Sequence, residues 1–184
     1  IIKEYPTGAA SVTTIRNHIE KLALRNFKPS LILIDYADIM RSTRQYDSLR
    51  HELKLIYTEL RNLAADLNIP IWTASQANKD SSKSDIVGLE NLGESYGKAQ
   101  VADVVLSISR KPMEKSEGTG RIFVAKNRAG RDGLLFPINI TSELSLILHF
   151  VAKYSVTPIL SFLSNFLSIG QLIIPFTLFF NAHL

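Results

Sequence analysis

Leu31-Ile32-Leu33-Ile34 runs without a break into Asp35-Tyr36-Ala37-Asp38. Four successive apolar residues without helical spacing suit a strand buried on both faces, as in a parallel sheet. A carboxylate at the end of such a strand is delivered to the edge of the sheet. In nucleotide-hydrolysing α/β proteins, an acid so placed sits beside a Mg²⁺–phosphate centre. Asp35 by itself reads equally well as a strand-end cap. Asp38 reads as a solvated or helix-facing carboxylate.

The rest of the chain alternates helices with short strands. Val12, Ile15, Ile19 and Leu22 have helical spacing, with Ser11 placed to cap the start. Pro29 breaks that pattern before the strand. Leu49, Leu53, Ile56, Leu60, Leu63 and Leu67 step by four and three along a second helix, with Asp47 as its expected cap and Asn68 as its stop. Residues 69–74 read as a strand, 76–88 as a polar loop, 89–100 as a short helix and 103–108 as another strand. A polar turn is expected at 111–119. Arg121–Ala125 and Leu134–Ile138 then alternate like a closing hairpin. This order predicts an α/β fold whose mainly parallel sheet carries helices on its faces. Ligands gather at the carboxyl ends of such strands. The residues to read for chemistry are therefore Asp35-Tyr36, Ser75-Gln76, Ser109-Arg110 and Lys126-Asn127-Arg128, and Asp35, Gln76 and Lys126 are expected along one edge.

Each has an ordinary alternative. Gln76 suits a γ-phosphate contact or a water-positioning role, but also a loop hydrogen bond. Lys126 and Arg128, two residues apart, fit a phosphate on a neighbouring subunit or a solvated basic turn. Arg41, Arg44, Arg50, Lys79 and Lys83 stand in two polar stretches that could track a phosphodiester backbone or simply face water. Gly93-Glu94-Ser95-Tyr96-Gly97-Lys98-Ala99 is one residue short of a phosphate-binding loop, and Ala99 replaces the hydroxyl that holds Mg²⁺. It is rejected as one. His18, His51, His149 and His183 lack metal-ligand spacing.

The chain has no cysteine, which excludes disulfides and Cys-based zinc sites and fits a reducing cytosol. A net charge of +4 permits a nucleic-acid partner without requiring one. Two regions are expected, 1–142 as an α/β domain and 143–184 as an apolar tail. No Lys, Arg, Asp or Glu follows Lys153. The tail reads as a transmembrane segment over 156–180, a buried helix pair, or a non-native translation. The last is preferred, because Pro158, Gly170 and Pro175 interrupt a membrane helix. The chain opens at Ile1 without an initiator Met and is read as a fragment or processed product.

Taken in order, these segments resemble the DnaB-type replicative helicases, particularly those of tailed phages. Leu33–Met40 looks like the family's Walker B segment. Leu63–Pro70 followed by Ala74-Ser75-Gln76-Ala77-Asn78 looks like its next helix, strand and glutamine switch. Leu92–Ser95 through Gln100–Val105 resembles the following motif. Lys126-Asn127-Arg128-Ala129-Gly130 resembles the basic pair that reaches the adjacent subunit's nucleotide.

The resemblance implies a RecA-like core, incomplete at its N-terminus, in a homohexameric ring with ATP between subunits. It implies travel on single-stranded DNA in the cytoplasm, the host's if phage-encoded, with primase and a helicase loader as partners. By that comparison Asp35 orients Mg²⁺ through water, Gln76 couples the γ-phosphate to the DNA loops, and Lys126 and Arg128 act in trans. Arg41, Arg44, Arg50, Lys79 and Lys83 would line the DNA channel. The family's phosphate-binding loop and catalytic glutamate find no match here, so the chain alone is expected not to hydrolyse ATP. The rival readings are another RecA-like ATPase, of recombinase or clock type, and a non-catalytic membrane-tethered module.

Overall fold

The structure is a computed structural model that describes residues 1–75 and 96–140, and the backbone of the strand at 173–178. Helix α1, Val12–Ala23, starts at Ser11 with a reciprocal cap. The Ser11 hydroxyl accepts from Thr14 N, and the Thr14 hydroxyl accepts from Ser11 N. These bonds satisfy two N–H groups that a helix start leaves free. Strand β1, Ile32–Ile34, is followed by a 3-10 turn, Ala37–Ile39. The Asp35–Tyr36 peptide between them is cis.

Helix α2, Leu49–Leu67, follows the expected apolar stripe. Ser48, not Asp47, is its N-cap residue, and no side chain bonds to the cap. Asn68 ends it in the left-handed conformation, at φ 53°, which asparagine tolerates better than most residues. Strand β2, Ile71–Thr73, and helix α3, Tyr96–Val101, come next. The part of the expected 89–100 helix before Tyr96 lies outside the described residues, as does the 76–88 loop.

Strand β3 spans Val104–Ser109. The polar turn expected at 111–119 is instead largely helix α4, Pro112–Glu117. Pro112 suits the first turn of a helix, where its missing N–H is no loss, and Glu114 reaches back to Lys111 N at 2.6 Å. Strands β4, Thr119–Asn127, and β5, Leu135–Asn139, form the antiparallel pair expected from their alternation. Strand β6, Ile173–Leu178, belongs to the apolar tail and is extended rather than helical.

One sheet joins all six strands in the order β1-β2-β6-β3-β4-β5. β1, β2, β6 and β3 run parallel, and β4 and β5 close the sheet as an antiparallel hairpin. Helices α1 and α2 cover one face at the β1–β2 end. There Ile56, Tyr57, Leu60 and Leu63 pack with Val12, Ala37 and Ile71, and with Ile32 and Ile34 at the edge of the cluster. A smaller cluster under the hairpin holds Ile108, Ile122 and Ile138. These two cores anchor two ends of one sheet, and the candidate residues divide between them.

Candidate functional site

Asp35 stands at the carboxyl end of β1 and is exposed. Ser75 lies just past the end of β2, which pairs in parallel with β1, so both occupy one edge. Gln76 follows Ser75 and lies outside the described residues, as do Lys79 and Lys83.

Asp38 turns inward from this edge. Of its two expected roles the helix-facing one holds, and the carboxylate is a hub. Lys98 Nζ donates to its Oδ2 at 2.8 Å, and the Ser75 hydroxyl donates to the same oxygen at 2.9 Å. The Tyr57 hydroxyl donates to Oδ1 at 2.8 Å, and Lys98 Nζ also meets Ser75 Oγ at 2.8 Å. The lysine side chain is 6% exposed and the aspartate 16%. Burying an ammonium is tolerable only because the carboxylate and hydroxyl satisfy it. Burial first, and then the charge of Asp38, raise the Tyr57 phenol well above its usual range. This cluster ties the exits of β1 and β2 to α2 and α3. It also commits Asp38, which leaves Asp35 as the carboxylate facing water beside it.

That arrangement fits a magnesium ion held through water. Hard Mg²⁺ keeps several waters and takes few protein carboxylates, with substrate phosphates supplying other oxygens. One exposed acid at a sheet edge meets that demand. Among the described residues no group of three His, Cys, Asp or Glu could hold a metal by itself.

Lys126 and Arg128 lie elsewhere. The expectation that Lys126 shares the edge of Asp35 is corrected, because β4 runs antiparallel to β3. Its final residues therefore meet the beginning of β3, with Val105 opposite Lys126 and Val104 opposite Asn127. Arg128 N continues the pairing by donating to Asp103 O at 2.9 Å. Three strands separate β4 from β1, a lateral distance of roughly 19 Å at normal strand spacing.

Lys126 Nζ caps the end of α3, donating to Ala99 O and Gln100 O, each at 2.9 Å. Partial burial first, and then the Arg128 charge, lower its pKa. Arg128 Nη1 pairs with Asp103 Oδ1 at 2.8 Å while its side chain stays 46% exposed. Arg61 of α2 grips the same carboxylate, with Nη2 to the shared Oδ1 at 3.0 Å and Nε to Oδ2 at 3.3 Å. Arg110, the remaining strand-end candidate, is used structurally. It bonds to Thr119 O and Lys115 O and holds α4 against β4. Arg41, Arg44 and Arg50 are all exposed, the last on the first turn of α2.

Sequence reading missed Lys98, Tyr57 and Arg61. Tyr57 had a detectable signal, since a hydroxyl four residues from Leu53 on a core-facing stripe needs a buried partner. Lys98 had one too, sitting between Gly97 and Ala99 on a short buried helix.

The sheet order and flanking helices define an α/β domain with a RecA-like fold. The chain belongs to the DnaB-like helicase C terminal domain family, whose sequence profile matches residues 1–142. It is 36% identical over 112 residues to the DnaB-like replicative helicase of Enterobacteria phage T4, covering 59% of this chain and 24% of that protein. A probable replicative DNA helicase of Trieres chinensis is 30% identical over 155 residues, covering 77% and 34%.

Two solved structures share the fold. One, of a DnaB-like replicative helicase and its interactions with primase, has a TM-score of 0.64 at 21% identity, covering 72% of this chain and 34% of that one. The second, an ATPase domain, has a TM-score of 0.60 at 22% identity, covering 77% and 50%. The chain spans about a quarter of the length of the first of these curated relatives and about a third of the second. No helix among the described residues is long and apolar enough to cross a membrane.

Proposed function

We propose that residues 1–142 are the later part of a replicative helicase motor, which couples ATP hydrolysis to movement on single-stranded DNA and to duplex unwinding. Asp35 holds Mg²⁺ through water beside the phosphates, and Gln76 links the γ-phosphate to the DNA-facing loops. Arg128, with Lys126 beside it, serves the nucleotide of the neighbouring subunit in a ring, most simply a hexamer. Arg41, Arg44, Arg50, Lys79 and Lys83 face the DNA. Primase is the favoured partner, since one structural neighbour is a DnaB-like helicase described with its interactions with primase. A helicase loader follows from the family resemblance. The setting is the cytoplasm.

One observation carries this reading. Asp35 and Arg128 are separated by three intervening strands, farther than a single arginine reaches. They can act on one nucleotide only if it lies between two subunits. A cation at the transferring phosphoryl group is worth roughly 10³–10⁵ in rate in related chemistry.

The test joins residues 1–142 to the preceding part of the phage T4 relative, giving a chimeric motor. The chimera should hydrolyse ATP with stimulation by single-stranded DNA, and Asp35→Asn should abolish the turnover. A folded, ring-forming chimera that binds ATP but turns over equally well with Asp35→Asn would contradict the assignment.

A further inference from the structure

We infer that Asp103 is the positioning residue for Arg128, and that Arg61 completes the clamp by fixing Asp103. The inference rests on the proposed trans role of Arg128 and adds how that side chain is held. Asp103 immediately precedes β3, and its side chain is 10% exposed. It touches Arg128 twice, by its carbonyl to the backbone N–H and by its carboxylate to the guanidinium. The first contact fixes where residue 128 starts, and the second fixes where its side chain points.

Arg61 holds the same carboxylate at two points, sharing Oδ1 with Arg128 through Nη2 and taking Oδ2 through Nε. Arg61 extends from a helix whose neighbouring residues, Leu60 and Leu63, are fully buried. The chain of contacts therefore runs from the rigid core, through Arg61 and Asp103, to an arginine that stands nearly half exposed. One carboxylate shared by two guanidiniums cannot neutralise both. Arg128 carries five N–H groups and meets Asp103 through the single Nη1–Oδ1 ion pair, so it is aimed without being consumed. An ordinary exposed ion pair does neither, and contributes about 0–1 kcal/mol to folding without directing anything.

The experiment compares Asp103→Asn, Arg128→Ala and the double variant in the chimeric motor. Asparagine keeps the backbone contact and the side-chain shape while removing the charge that orients the guanidinium. Asp103→Asn should lower kcat by about 100-fold, the scale of a misplacement near 1 Å, with ATP affinity near that of the parent. The double variant should be no slower than Arg128→Ala, because both changes remove one device. If Arg128→Ala collapses turnover and Asp103→Asn does not, the positioning role is wrong and the finger stands. If the double variant is slower than Arg128→Ala by the full Asp103→Asn factor, Asp103 acts independently of Arg128 and the inference fails. If Arg128→Ala leaves turnover intact, the finger assignment fails first and takes the clamp with it. Should Asp103→Asn lose its cooperative unfolding transition, Arg61→Gln replaces it. That variant should lower kcat by about tenfold with the same unchanged ATP affinity, and parental kcat would overturn the inference.

Discussion

Lys98 and Asp38, sixty residues apart, meet at 2.8 Å in the interior between α3 and the turn after β1. The pair is nearly dry, and its remaining bonds go to Ser75 and Tyr57. Removing one member leaves the other charge buried with too few partners. Lys98→Met should therefore destabilise the chain by about 3 kcal/mol, measured by chemical denaturation. Asp38→Asn with Lys98→Met together should cost less than the sum of the single changes, because no stranded charge remains. Additive losses would mean the two side chains do not depend on each other.

Alkali should loosen the same cluster. The Tyr57 phenol is raised above its ordinary value of 10.0, first by burial and then by Asp38. Below that value folded and unfolded chains both keep the proton, and the stability is fully present. As pH rises further the unfolded chain releases it first, so stability falls through the folded pKa. Tyr57→Phe should cost about 1 kcal/mol at neutral pH, because the hydrogen bond to Asp38 is removed. It should also flatten the fall in stability above about pH 10 relative to the parent. Lys126 works in the opposite direction, since its lowered pKa makes stability rise with pH below its usual value. The comparison with Tyr57→Phe isolates the phenol, and identical alkaline slopes in the two proteins would exclude it as the cause.

Arg41 and Arg44 are exposed on the segment between the turn after β1 and α2. If they contact phosphates in a ring, Arg41→Ala with Arg44→Ala should weaken single-stranded DNA binding by the chimeric motor. The plot of log affinity against log salt should become shallower by about 0.7 for each phosphate no longer neutralised. Unchanged affinity and slope would assign both to a solvated surface.

The strand before Asp35, the α2 stripe and the closing hairpin are legible in the sequence because each is a local pattern, but the burial expected on both faces of Leu31–Ile34 is corrected, since β1 ends the sheet order and Leu33 is 71% exposed. Periodicity places Leu60 and Leu63 in the core, and alternation makes β4 and β5 strands, whatever else the chain does. The polar stretch at 111–119 reads as a turn by its composition, although Pro112 and Glu114 are good residues for the first turn of a helix. The site is legible as residue types and much less as an arrangement. An apolar strand followed by Lys126 looks the same whether it runs with its neighbour or against it. The antiparallel pairing with β3 moves the basic pair away from Asp35. The Lys98–Asp38 and Arg61–Asp103 contacts join residues 60 and 42 positions apart, a separation on which local pattern says nothing.

Asp35 and Arg128, on the proposed reading, serve one nucleotide from two subunits. The most direct test is to mix two inactive populations of the chimeric motor, one carrying Asp35→Asn and the other Arg128→Ala. Mixed rings contain interfaces where an intact Asp35 faces an intact Arg128 on its neighbour. ATP turnover in the mixture should rise well above that of either population alone. Turnover no higher than that of the two separate populations, in rings shown to exchange subunits, would contradict the shared site.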